Sequence, residues 1–231
     1  MAKMRKGGEE RPASALGRSR LFWLLAECLA GGFRTEVVSA FSPQPDGAAD
    51  PTDPLDAAWR NLCAALSTFD AAAGDRLAIE HTRLFGGLRE GAGPPPPYET
   101  VWRPGHPPGT VARSVEQAYA SAGFADIDSV AGPQDHLAVE LKFLALLALR
   151  EAEAWRRDNE DEALTRVAQQ LRFLDQHLDW VPRWVDGLAS QTREPAYWAL
   201  TGLIGSGLAQ AADDLVAAGA ARPSSAEGAA A

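Results

Sequence analysis

The chain has 231 residues, 46% hydrophobic and 23% charged, with a formal net charge of −9, enough apolar material for one sizeable core and too much for a wholly disordered chain. The charge is uneven: residues 1–20 hold Lys3, Arg5, Lys6, Arg11, Arg18 and Arg20 against only Glu9 and Glu10, so the remainder is more acidic than the total suggests. Such a body repels phosphate backbones, which argues against nucleic acid and suits a basic partner.

Residues 1–13 show no apolar period and are predicted to be a disordered arm. From 14 to 30, Leu16, Leu21, Leu24, Leu25, Cys28 and Leu29 recur at helical spacing until Gly31-Gly32 stops them. The apolar stretch Leu21–Ala26 follows Arg18 and Arg20 as a signal-peptide core would, but Glu27 ends it after six residues. No apolar run approaches the about 20 residues that span a bilayer, so no membrane insertion is expected.

A short helix near 34–41 leads into a Pro-rich linker, 42–54, and Pro54 is placed to open the next helix at its first turn. There Leu55, Ala58, Trp59, Leu62, Cys63, Leu66 and Phe69 repeat at threes and fours. A further helix, 74–85, ends in Leu84-Phe85-Gly86-Gly87. Residues 86–110 break the pattern with Pro94 to Pro97 in a row, then Tyr98-Glu99-Thr100-Val101-Trp102 and three more prolines, which predicts a long extended loop.

Helical spacing returns at 109–123. A loop at 124–132 follows, then a Leu-rich helix at 133–157 that is apolar on several faces and so predicted to be central. The last helices are predicted near 160–180, 183–190 and 195–217, with a disordered tail over 219–231. No strand-like alternation of useful length occurs. The predicted fold is all-α, one compact domain over 14–218 with about eight to ten helices. Cys28 and Cys63 read as small core residues of a reducing compartment.

The four histidines are His81, His106, His136 and His177. None has a Glu three residues before it, no HExxH occurs, and no metal site is predicted. There is no phosphate-cradling Gly-rich loop and no nucleophile elbow. Three local features remain: the helix end at Leu84-Phe85, the Pro97–Trp102 loop, and Gly132-Pro133-Gln134-Asp135-His136-Leu137. In the last, Pro133 suits a first helical turn and Asp135 would then favour the helix dipole, a structural role complete in itself.

In this order and spacing the three features resemble the signature of the TorD/DmsD/NarJ family of molybdoenzyme maturation chaperones. So do Phe173-Leu174-Asp175-Gln176-His177-Leu178, with Trp180, Pro182 and Trp184, and Pro195-Ala196-Tyr197-Trp198 before the last helix. The resemblance covers about 14–217. It implies a cytoplasmic, non-catalytic helical chaperone that holds the catalytic subunit of a molybdopterin oxidoreductase by its N-terminal, twin-arginine leader region until the cofactor is inserted.

It also implies a client-binding region around Pro133, Asp135 and His136 with Pro97, Tyr98, Glu99 and Trp102, and more weakly Leu84 and Phe85. A leader joins arginines to an apolar stretch, so its reader needs carboxylates for the guanidinium forks and apolar walls for the rest. Asp135, Glu99 and Glu140 are the candidate carboxylates. No permanent cofactor is expected, although transient contact with the client's molybdenum cofactor fits the role. The family implies a monomer or a domain-exchanged dimer. Two other readings stay open: a guanine-nucleotide-binding or hydrolysing protein built on Asp135, His136 and Glu140, and a structural subunit of a redox complex.

Overall fold

The computed structural model describes residues 2–41, 52–86, 95–107, 109–125, 127 and 133–220, with the side chains of 2–9 outside that description. Among these, ten helices follow one another: α1 (Ala2–Gly31), α2 (Thr35–Val38), α3 (Pro54–Leu66), α4 (Ala71–Phe85), α5 (Glu99–Trp102), α6 (Thr110–Ser121), α7 (Leu137–Arg156), α8 (Glu160–His177), α9 (Val181–Gln191) and α10 (Pro195–Ala220). The only β pairing among the described residues is one isolated antiparallel bridge, Tyr98 with His136. The fold is all-α. Most of the linker 42–54, parts of the loops 86–110 and 124–132, and the tail from 221 onward lie outside the described residues.

α7 is the central helix. Leu137, Leu141, Phe143, Leu144, Leu147 and Ala152 are buried on successive faces, so this helix needs neighbours all round. α1 packs along it, α8 packs on another side, and α10 closes the core against α3, α8 and α9. The helix starts follow local chemistry. Asp53 accepts hydrogen bonds from the Leu55 and Asp56 amides, with Pro54 in the first turn of α3; Asp70 caps α4 and Asn159 caps α8. No helix among the described residues is long and apolar enough to cross a membrane.

Two features differ from the expectations. α1 begins at Ala2 rather than near residue 14. The polar segment lacks an apolar stripe, but the Arg11 guanidinium lies 4.7 Å from the centre of the Trp155 ring and 3.4 Å from Glu160, so the helix is held by contacts that no local period records. The 86–110 segment also contains one helical turn, α5.

α1 ends where predicted. Gly32 adopts φ +70, and a Cβ there would lie 3.1 Å from the His81 ring and from the Tyr197 hydroxyl. Gly32→Ala is therefore expected to destabilise the fold by about 1–2 kcal/mol from the left-handed backbone alone, read as a lower urea midpoint at unchanged slope.

Candidate functional site

The site forms where the proline loop crosses the start of α7. The Glu99 amide donates to the Asp135 carbonyl at 2.9 Å and the Leu137 amide to the Pro97 carbonyl at 2.8 Å. This pairing keeps His136 extended, directly after the turn that holds Asp135. α7 therefore starts at Leu137 with His136 as its N-cap, not at Pro133 as the sequence suggested. Pro133 is exposed, in the preceding turn, where its carbonyl accepts from the His136 amide at 3.1 Å. Asp135 is accordingly outside the helix and serves α5 instead: its Oδ2 accepts from both the amide and the hydroxyl of Thr100.

His136 Nδ1 accepts from the Ala138 amide at 3.0 Å, which leaves that nitrogen unprotonated. Burial pushes the imidazole down to about 4, against the opposing pull of Asp135. The Tyr98 ring stands edge-on to it, with centroids 4.9 Å apart.

Glu99 is 2% exposed. It accepts from Arg103, one turn later, and from His177 Nδ1 at 3.0 Å. Arg103 also donates to the Gln176 carbonyl at 2.6 Å and pairs with Asp179. The loop is thus bolted to the end of α8.

Glu140 lies beneath, with no exposed surface, and no described group donates to either oxygen. Burial above all, then the charge of Glu99 and a hydrogen bond to it, raises its carboxyl well above the usual range. The charged form of Glu140 is thus disfavoured where it lies. The Tyr119 hydroxyl, also pushed up by burial, donates to the Gln134 carbonyl at 2.8 Å.

The structure brings Pro97, Tyr98, Glu99, Trp102, Asp135, His136 and Glu140 together, but not as a row of free carboxylates. Asp135 is 4% exposed. All three candidate acids are buried, and Asp135 and Glu99 are engaged with the protein itself. The outward face of the loop is apolar instead, with Val101 45% exposed and Tyr98 and Trp102 half-buried.

Leu84 and Phe85 sit apart from this loop, Leu84 in the core and Phe85 half-buried. They connect to it through rings: Phe85 to Trp184 at 6.3 Å, Trp184 to Trp180 at 6.3 Å, and Trp180 stacked on Trp102 at 6.0 Å.

Arg103, Thr100 and His177 complete the cluster and were not singled out as site residues from sequence. The Glu99–Arg103 spacing of one turn was a usable signal; the pairing of Glu99 with His177, 78 residues apart, left none. In the hydrolase arrangement of Asp135, His136 and Glu140, burial disfavours the charged form of Glu140 and the His136 Nδ1 is occupied by the Ala138 amide. Among the described residues no cluster of three or more His, Cys, Asp or Glu is placed to hold a metal.

A family model described as nitrate reductase delta subunit matches residues 49–186, more than half of the chain, from before α3 into α9. No curated protein matches the chain.

Proposed function

The chain belongs to the nitrate reductase delta subunit family of molybdoenzyme maturation chaperones, and we propose that it works in the cytoplasm by holding the N-terminal, twin-arginine leader region of a molybdopterin oxidoreductase catalytic subunit. It keeps that subunit from export until the molybdenum cofactor is in place, and it holds no cofactor of its own. The observation that carries this reading is the family match across the loop, α7 and α8, which are the elements that build the site.

The geometry gives the reading a physical form. Four side-chain contacts fix the loop: Thr100 donates twice to Asp135, just before α7, while Glu99 meets His177 and Arg103 donates to the Gln176 carbonyl at the end of α8. A loop ordered before the client arrives loses less conformational entropy on binding. Its exposed Val101 and half-buried Tyr98 and Trp102 offer the apolar surface that a leader's non-basic residues need. Asp135 acts on binding through the loop it anchors.

Asp135→Ala is expected to weaken leader-peptide binding by about 1–3 kcal/mol, the range for loss of hydrogen bonds to a charged group. Isothermal titration against the folded variant checks this. Unchanged affinity would separate the loop anchor from client binding.

A further inference from the structure

An arginine-bearing leader needs free carboxylates, and the acids of the loop site are buried, with Asp135 and Glu99 already engaged. Free carboxylates occur elsewhere, on a trough of about 580 Å³ between α8, α9 and α10. Leu174 of α8 and Val185 of α9 form its apolar walls, and α10 forms its floor with the small residues Gly205, Ala209 and Ala212 beside Leu208. The small residues recur at intervals of four and three, the row along which a helix packs against a neighbour. Gly205 has open space above it, with no atom within 4 Å of a Cβ placed there. Three helices thus present the seat for a fourth, with close approach open along the small residues of the floor.

The charged residues lining this trough are Asp175, on the α8 wall, and Asp186, on the α9 wall. Both are exposed, and neither carboxylate has an ion-pair or hydrogen-bond partner among the described residues. An apolar seat with an unpaired acid on each wall is complementary to an apolar helix that carries cations. The loop site is close by: Trp180, just before α9, and Trp184 of α9 join the loop's aromatic chain, while Val185 and Asp186 line the trough.

Resting on the chaperone reading above, we infer that the α8–α9–α10 trough seats the client's leader as a helix, its apolar run on the α10 floor and its arginines on Asp175 and Asp186. The loop site then contacts flanking residues of the same N-terminal region.

The probe is a labelled synthetic peptide, two adjacent arginines followed by an apolar run of about ten residues, titrated onto the full chain by fluorescence anisotropy. Gly205→Leu fills the seat without meeting a neighbour and is expected to abolish binding at concentrations that saturate the unaltered protein. The double variant Asp175→Lys/Asp186→Lys is expected to weaken binding about tenfold or more, with the largest loss at low salt. Binding unchanged in both variants overturns the trough assignment and leaves the chaperone reading standing. No peptide binding by the unaltered protein overturns the leader-binding reading itself. If sedimentation velocity shows a dimer that Gly205→Leu converts to monomer, with peptide affinity unchanged, the trough is an interface between copies of this chain and the assignment falls.

Discussion

Glu151→Ala is expected to destabilise the protein by about 3–5 kcal/mol, the cost of leaving one member of a buried ion pair without its partner. Glu151 is 1% exposed on α7. Its oxygens accept from Arg18 Nη2 at 2.8 and 2.7 Å, from Gln170 Nε2 at 2.8 Å and from Trp155 Nε1 at 3.1 Å. Arg18 comes from α1, itself buried, and its nearest other acid is Asp214 at 3.8 Å. One carboxylate therefore ties α1, α7 and α8 together in the core, and its removal strands a guanidinium there. Replacing both members, Arg18→Met with Glu151→Met, is expected to cost far less, because no uncompensated charge remains. Urea unfolding of the two variants distinguishes the cases; equal losses would mean that packing, not charge, sets the penalty.

The second large effect is a pH dependence. Burial lowers the His136 imidazole from 6.5 to about 4. In the unfolded chain it takes up a proton as pH drops below its ordinary value, whereas the folded protein resists until about 4. The His136 contribution is therefore complete above about pH 6.5 and is lost as pH falls toward 4, a total of about 3 kcal/mol. Glu140 has the opposite sign: its carboxyl is raised, so its contribution is present below the ordinary 4.5 and declines as pH rises. His136→Asn keeps an acceptor for the Ala138 amide and leaves Glu140 in place. The stability difference between wild type and this variant should thus change by about 3 kcal/mol between pH 7 and 4. Parallel stability curves for the two would contradict a buried neutral imidazole.

The helices were legible in the sequence wherever burial repeats along one stripe. α3 shows this in Ala58, Leu62 and Leu66, and α7 shows it as burial on every side. Turn chemistry marked the end of α1 at Gly32 and the start of α3 at Pro54. What stayed hidden depends on pairs distant in the chain. The start of α1 rests on Arg11 over Trp155, and the start of α7 on a bridge between Tyr98 and His136.

Folding brings Pro97, Tyr98, Glu99, Trp102, Asp135, His136 and Glu140 together around the loop, but sequence records a carboxylate's charge and not its accessibility. Asp135, Glu99 and Glu140 read as three acids available to a basic ligand. Folding instead gives the first to Thr100 and the second to Arg103 and His177, and buries the third where its charged form is disfavoured. Asp175 and Asp186 stood in the sequence as ordinary helix-surface acids; only the arrangement of α8, α9 and α10 shows that they flank an apolar seat.

Calorimetric titration of the full chain with a twin-arginine leader peptide of a molybdopterin oxidoreductase, alongside a version with both leader arginines replaced by lysine, tests leader binding most directly. Saturable binding is expected, weakened with lysine, which keeps the charge but lacks the two-pronged guanidinium. Equal affinity for the two peptides, or no binding to either, would contradict that expectation.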